Sequence, residues 1–69
     1  MNNFVMTTLV MTEKEGYKIG YPIDIIRDVQ VKTTCFDVMA PVDEAAICIT
    51  FETNETATYR ANRWVMTFE

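Results

Sequence analysis

Histidine and serine are missing from this chain altogether. Without histidine it lacks both the commonest general base and the commonest metal ligand. Without serine, a serine nucleophile is excluded outright. Glycine is reduced to Gly16 and Gly20, too few for the glycine-rich loop that wraps a phosphate in backbone N–H groups. The two cysteines, Cys35 and Cys48, cannot make a disulfide scaffold. A thiol also needs a cationic or helix-terminal setting to become reactive. Cys48 lies inside an alternating run and reads as a small packing residue. Cys35 precedes a loop and is less constrained, and a Cys35–Cys48 disulfide stays open. Asp43-Glu44 could supply half of a carboxylate site or simply form a solvated turn; no third partner is evident. Together these absences place an enzyme last among the function classes. No catalytic residue, metal site or cofactor is expected.

Basic clusters are missing too. The six cations Lys14, Lys18, Arg27, Lys32, Arg60 and Arg63 are scattered, and the formal net charge is −4. Phosphate-backbone binding needs Lys and Arg gathered on one face. Direct nucleic-acid binding is therefore disfavoured, although folding or ring assembly could gather scattered residues. Mimicry of a phosphate backbone would ask for denser acid. No apolar run approaches the ~20 residues that span a bilayer, and Met1-Asn2-Asn3-Phe4 carries no cationic leader. A cytoplasmic protein away from membranes, with reduced cysteines, is expected.

What the chain does carry is apolar weight. Of its 69 residues 49% are hydrophobic, with eight aromatics and five methionines. Residues 1–69 have room for one domain. A body this small buries only about 60% of the surface its unfolded chain exposes. Its core alone supplies about 3–5 kcal/mol. Part of the apolar load is therefore expected against another chain, as a homo-oligomer or on a protein partner.

The clearest pattern runs from Ala45. Ile47, Ile49 and Phe51 alternate with Cys48, Thr50 and Glu52, the period-2 signature of a strand. A short polar turn follows at Thr53-Asn54-Glu55-Thr56, with Asn tolerant of the left-handed region. Ala57, Tyr59 and Ala61 then alternate with Thr58 and Arg60, which completes a hairpin. Trp64, Met66 and Phe68 share one parity in a last strand. Upstream, Asn3–Thr12 is apolar on both faces, as a strand covered on two sides or lying at an interface would be, and its three threonines and two valines weigh against the competing helix. Glu13-Lys14-Glu15-Gly16 reads as a hairpin loop and Tyr17–Tyr21 as the returning strand, with Gly20 marking a bulge or a close backbone approach. Pro22 starts a turn over 22–26, and a strand is expected over about 26–34. A helix over 22–32 is the rival, since Ile23, Ile26 and Val29 also fit helical spacing. Cys35–Glu44 reads as a loop carrying Phe36, Val38 and Met39.

The expected fold is all-β: five or six short antiparallel strands in meander order, forming a small open barrel or a twisted sheet. The alternative is α+β with one helix near 22–32. The first and last strands would be exposed edges, prone to pair with another copy. The candidate partner-binding residues are Phe36 and Met39 in the apolar loop, and Arg60, Arg63 and Trp64 near the C-terminus. Trp and Arg are the side chains that most often anchor protein interfaces, and they can also stack on bases. For Tyr59 and Trp64, plugging the core is the competing role. The expected function is a non-enzymatic protein–protein interaction module, of the kind a small accessory protein or phage-type regulator uses to bind a larger protein. A homo-oligomeric assembly subunit is the first alternative, and nucleic-acid binding or mimicry the second.

Overall fold

The computed structural model describes Thr7–Glu69. It is all-β, with six strands: β1 (Thr8–Glu13), β2 (Lys18–Pro22), β3 (Ile26–Cys35), β4 (Asp43–Phe51), β5 (Thr56–Arg60) and β6 (Trp64–Phe68). They form two three-stranded antiparallel sheets, ordered β2-β1-β6 and β3-β4-β5. β1 pairs with β2, β3 with β4 and β4 with β5 as in a meander, but β2 and β3, and β5 and β6, do not pair, and β6 returns to β1. Two short interruptions divide the sheets. Pro22 lacks an N–H to continue a ladder and leads into a single 3₁₀ turn, Ile23–Ile25. Ala61-Asn62-Arg63 turns the chain between β5 and β6.

The rival helix over 22–32 is absent. Only the 3₁₀ turn occupies the start of that range, because Val29, Val31 and Thr33 are stiff at χ1 and suit a pleated surface. The expectation that the first strand would be an edge is corrected as well. β6 covers its open side, so β1 is the central strand of its sheet. Residues 3–6, which began the expected first strand, lie outside the described residues. Asp43-Glu44 opens β4 rather than forming a loop.

Among the described residues, the buried hydrophobic ones sit on the two central strands: Leu9, Val10 and Met11 on β1, and Ala46, Ile47, Cys48 and Ile49 on β4. Leu9 and Met11 pack against Ile47 and Ile49, so one face of each central strand meets the other across the sheets. Tyr21, Val29, Phe51, Tyr59, Trp64 and Met66 close the margins, only partly buried. Ala46 and Cys48 are on the opposite face of β4 from this core. They are buried because short side chains on a central strand lie below their neighbours, here Gln30, Lys32, Thr58 and Arg60. Both cysteines are free, Cys48 buried and Cys35 exposed.

Turn chemistry follows the residues. Asn54 adopts φ 72° in the β4–β5 turn and Gly16 φ 105° in the β1–β2 turn. A Cβ on Gly16 would touch nothing within 4 Å, so only backbone strain opposes one. Gly16→Ala is therefore expected to lower stability by about 1–2 kcal/mol, the left-handed penalty. A urea denaturation midpoint unchanged from the parent would contradict this. At Gly20 a Cβ would come within 3.3 Å of the Thr8 methyl. Its register with Val10 is regular, so this glycine marks a close approach and no bulge. The bulge lies instead between Ile26 and Asp28. There Arg27 donates to the Glu52 carbonyl at 3.0 Å and also to the Asn54 side chain, tying β3 to the β4–β5 turn.

Candidate interaction surface

β5 ends at Arg60 and β6 begins at Trp64, so the intervening turn has to step from one sheet to the other. Backbone bonds hold it from both sides. Ala61 N–H donates to the Ala45 carbonyl at 2.9 Å, in the β4 sheet. Lys14 N–H donates to the Arg63 carbonyl at 3.0 Å, from the β1–β2 turn. Within the turn, Arg63 N–H donates to the Arg60 carbonyl at 3.1 Å.

Fixing the turn fixes its arginines. The Arg60 guanidinium lies 4.7 Å from the centroid of the Phe36 ring, a cation–π contact. Its Nε is 3.5 Å from the Glu44 carboxylate. Arg63 reaches Glu13 at 3.5 Å, and Glu13 is the register partner of Trp64. The Trp64 ring meets Tyr59 edge-on at 4.8 Å and Tyr17 edge-on at 6.3 Å. The result is an open groove of about 380 Å³ lined by Glu13, Phe36, Tyr59, Arg60, Arg63 and Trp64.

Four of the five candidate residues thus surround one groove: Phe36, Arg60, Arg63 and Trp64. Met39 does not join them. It sits in the β3–β4 loop, 88% exposed, with Val38 and Val42 exposed beside it. Trp64 packs partly buried against the core and also lines the groove. Neither Glu13, read from sequence as part of a hairpin loop, nor Glu44, read with Asp43 as half of a carboxylate site or a solvated turn, was expected beside an arginine. It is the fold that sets each of them beside an arginine. Such half-exposed pairs contribute little stability, about 0.2–1 kcal/mol. Their use is to hold the guanidinium planes in place.

Among the described residues no polar or charged side chain is buried apart from the Cys48 thiol, and no group of three or more His, Cys, Asp or Glu is placed to hold a metal ion. One phenol stands apart. The Tyr59 and Tyr21 hydroxyls hydrogen-bond across the two sheets. Burial, and then that bond, push the Tyr59 phenol well above its ordinary value of 10.0. The folded state holds this proton more tightly than the unfolded chain does. The associated stability is full below about pH 10 and is lost as pH rises past it. A urea midpoint that falls above about pH 10 is expected, with a shallower fall in Tyr59→Phe. Identical alkaline limbs in the two proteins would assign the loss to other groups.

No helix among the described residues is long and apolar enough to cross a membrane. No protein-family model matches the chain, and neither a curated protein nor a solved structure matches it.

Proposed function

We propose that this chain is a non-enzymatic protein-interaction module whose contact surface is the groove between Phe36 and Trp64. It would act as a small accessory protein or phage-type regulator that binds a larger protein. The observation that carries this reading is convergence. Phe36, Arg60, Arg63 and Trp64 come from the β3–β4 loop, the end of β5, the following turn and the start of β6, yet line one hollow. An apolar side chain of the partner fits between the two rings. A partner carboxylate can replace Glu13 or Glu44 on an arginine, because the exchanged pairs are weak and exposed. Aromatic and arginine anchors of this kind carry most of the energy of protein interfaces. Two free thiols, one of them exposed, fit a reducing, cytoplasmic setting.

The test is capture by the immobilised chain from source-cell lysate, with partners identified and affinities measured for each variant. Arg60→Lys keeps the charge but loses the planar stack on Phe36. Combined with Phe36→Leu, it is expected to weaken capture by about 30-fold, the loss of a ~2 kcal/mol anchor, with circular dichroism unchanged. Unaltered affinity in that double variant would sink the groove as the contact surface. Nucleic acid is a weaker reading. Arg27, Arg60 and Arg63 are each within 4.0 Å of a glutamate, which leaves them less available to phosphate.

Self-assembly is supported by a different observation, the outer edge of β3.

A further inference from the structure

β3 is an edge strand of ten residues. Its hydrogen-bonding sides follow from β4. Phe51 N–H donates to the Glu55 carbonyl, and Ala61 N–H to the Ala45 carbonyl, each at 2.9 Å. Ladder bonds alternate along an antiparallel pair. Ala45, Ile47, Ile49 and Phe51 therefore turn their backbone groups toward β5. Glu44, Ala46, Cys48 and Thr50 turn theirs toward β3, where they meet Thr34, Lys32, Gln30 and Asp28. What remains is Val29, Val31, Thr33 and Cys35. Their N–H and C=O groups point away from β4 along an edge that no other strand among the described residues pairs with.

The side chains on this edge are as unusual as its length. Val31 lies on the same face as the core residue Ile47, its register partner, yet is 70% exposed. On the other face Asp28 and Lys32 are exposed, and neither joins an ion pair among the described residues. An edge lysine usually blunts a strand against pairing. Here an aspartate stands four residues before it, and that spacing changes the outcome.

We propose that β3 pairs with β3 of a second copy, antiparallel, about a two-fold axis through Gln30. In that register Val29 faces Val31 of the second copy, and the reverse, as the hydrogen-bonded pairs. Asp28 faces Lys32 of the second copy, again twice. Every outward N–H and C=O between the two valines finds a partner. The exposed Val31 gains an apolar neighbour, and each lone charge gains its opposite. Only registers that shift the axis by whole residues along β3 keep outward groups facing each other. With the axis at Val31, Lys32 faces Gln30 and Asp28 faces Thr34. With the axis at Lys32, two lysines face each other. The Gln30 register alone matches both charge and apolar character. It joins the two β3-β4-β5 sheets into one six-stranded sheet, an isologous contact. The bulge between Ile26 and Asp28 ends the paired segment.

The pairing rests on the self-associating form of the proposed function, and leaves the groove, which β3 does not line, free for another protein. The test is solution mass by sedimentation equilibrium through a micromolar dilution series. The parent is expected to run at twice its 8.0 kDa chain mass. Lys32→Asp sets like charges opposite each other at two places and is expected to weaken dimerisation roughly tenfold or more. Asp28→Lys alone should do the same. The double variant Asp28→Lys/Lys32→Asp restores opposite pairs and should restore the dimer. A parent that stays monomeric throughout overturns the proposal. So does a dimer indifferent to Lys32→Asp, or a double variant that remains as weak as the singles. Both positions are exposed, so unchanged circular dichroism is expected in all three variants. The groove variant Arg60→Lys/Phe36→Leu should leave the mass unchanged, so loss of capture and loss of the dimer are separately visible.

Discussion

Ile49→Ala is expected to remove most of the stability of the fold. Ile49 is fully buried at the middle of β4, between Val29 and Ala57 in register and against Leu9 and Met11 across the sheets. Truncating a core isoleucine to alanine costs about 2–5 kcal/mol, the transfer loss plus a residual cavity. A domain of this size has about 3–5 kcal/mol to lose. Ile49→Val removes one methylene and should cost about 0.5–1.5 kcal/mol, leaving a cooperative transition. Val31→Ala is the informative contrast. It is on the same face of the same sheet, but its exposure predicts a change within about 0.5 kcal/mol in the monomer. Thermal unfolding followed by circular dichroism orders the three. A cooperative Ile49→Ala transition near the parental midpoint would mean that the inter-sheet core is not what holds the fold.

That contrast also shows how far the sequence could be read. Alternation puts Ile47, Ile49 and Phe51 on one face, and the structure packs the first two into the core. Alternation puts Val29 and Val31 together as well, and it cannot say that Val31 is left exposed. Parity is a property of one strand, whereas coverage depends on where the other sheet stops. Asn54 and Gly16 were legible for a local reason, since a left-handed turn position selects for them. The rank of β1 was not legible. Nothing within 8–13 announces that β6 will return to it, because that pairing is set by the 61–63 turn more than forty residues away.

The groove was half legible for the same reason. Arg60, Arg63 and Trp64 stand together in sequence, and composition marks them as anchors. That Phe36 joins them, and Met39 does not, depends on how the β3–β4 loop folds back. Glu13 and Glu44 carry no local sign of an arginine partner. They matter because antiparallel register places one beside Trp64 and lets the other reach Arg60. Asp28 and Lys32 carry even less within one chain, where they have no ion-pair partner among the described residues. Their complementarity exists only when the strand is laid against its own image.

Trp64→Ala is expected to have the second-largest effect on stability, and to entangle it with binding. The ring is partly buried against the core and meets Tyr59 edge-on at 4.8 Å. Truncation removes that contact and opens the seam between the sheets. A cost of about 3 kcal/mol follows, at the low end of the range for tryptophan because the residue is only partly buried. For a domain this small that is a fall of at least about 12 °C in the unfolding midpoint. Loss of capture by Trp64→Ala would therefore say little, since the groove itself would be failing. Trp64→Phe separates the two roles. A phenyl ring can keep the edge contact with Tyr59, so it should cost about 1 kcal/mol and fold cooperatively. It gives up the indole N–H and the extra surface of the bicyclic ring at a residue that lines the groove, so capture should weaken more than stability does. Because Trp64 is the single tryptophan of the chain, its fluorescence in the parent reports the same place. A bound partner should shift the emission to the blue as the open side of the ring is desolvated. Full capture by Trp64→Phe, with parental emission unmoved by the captured partner, would place the contact surface away from this residue.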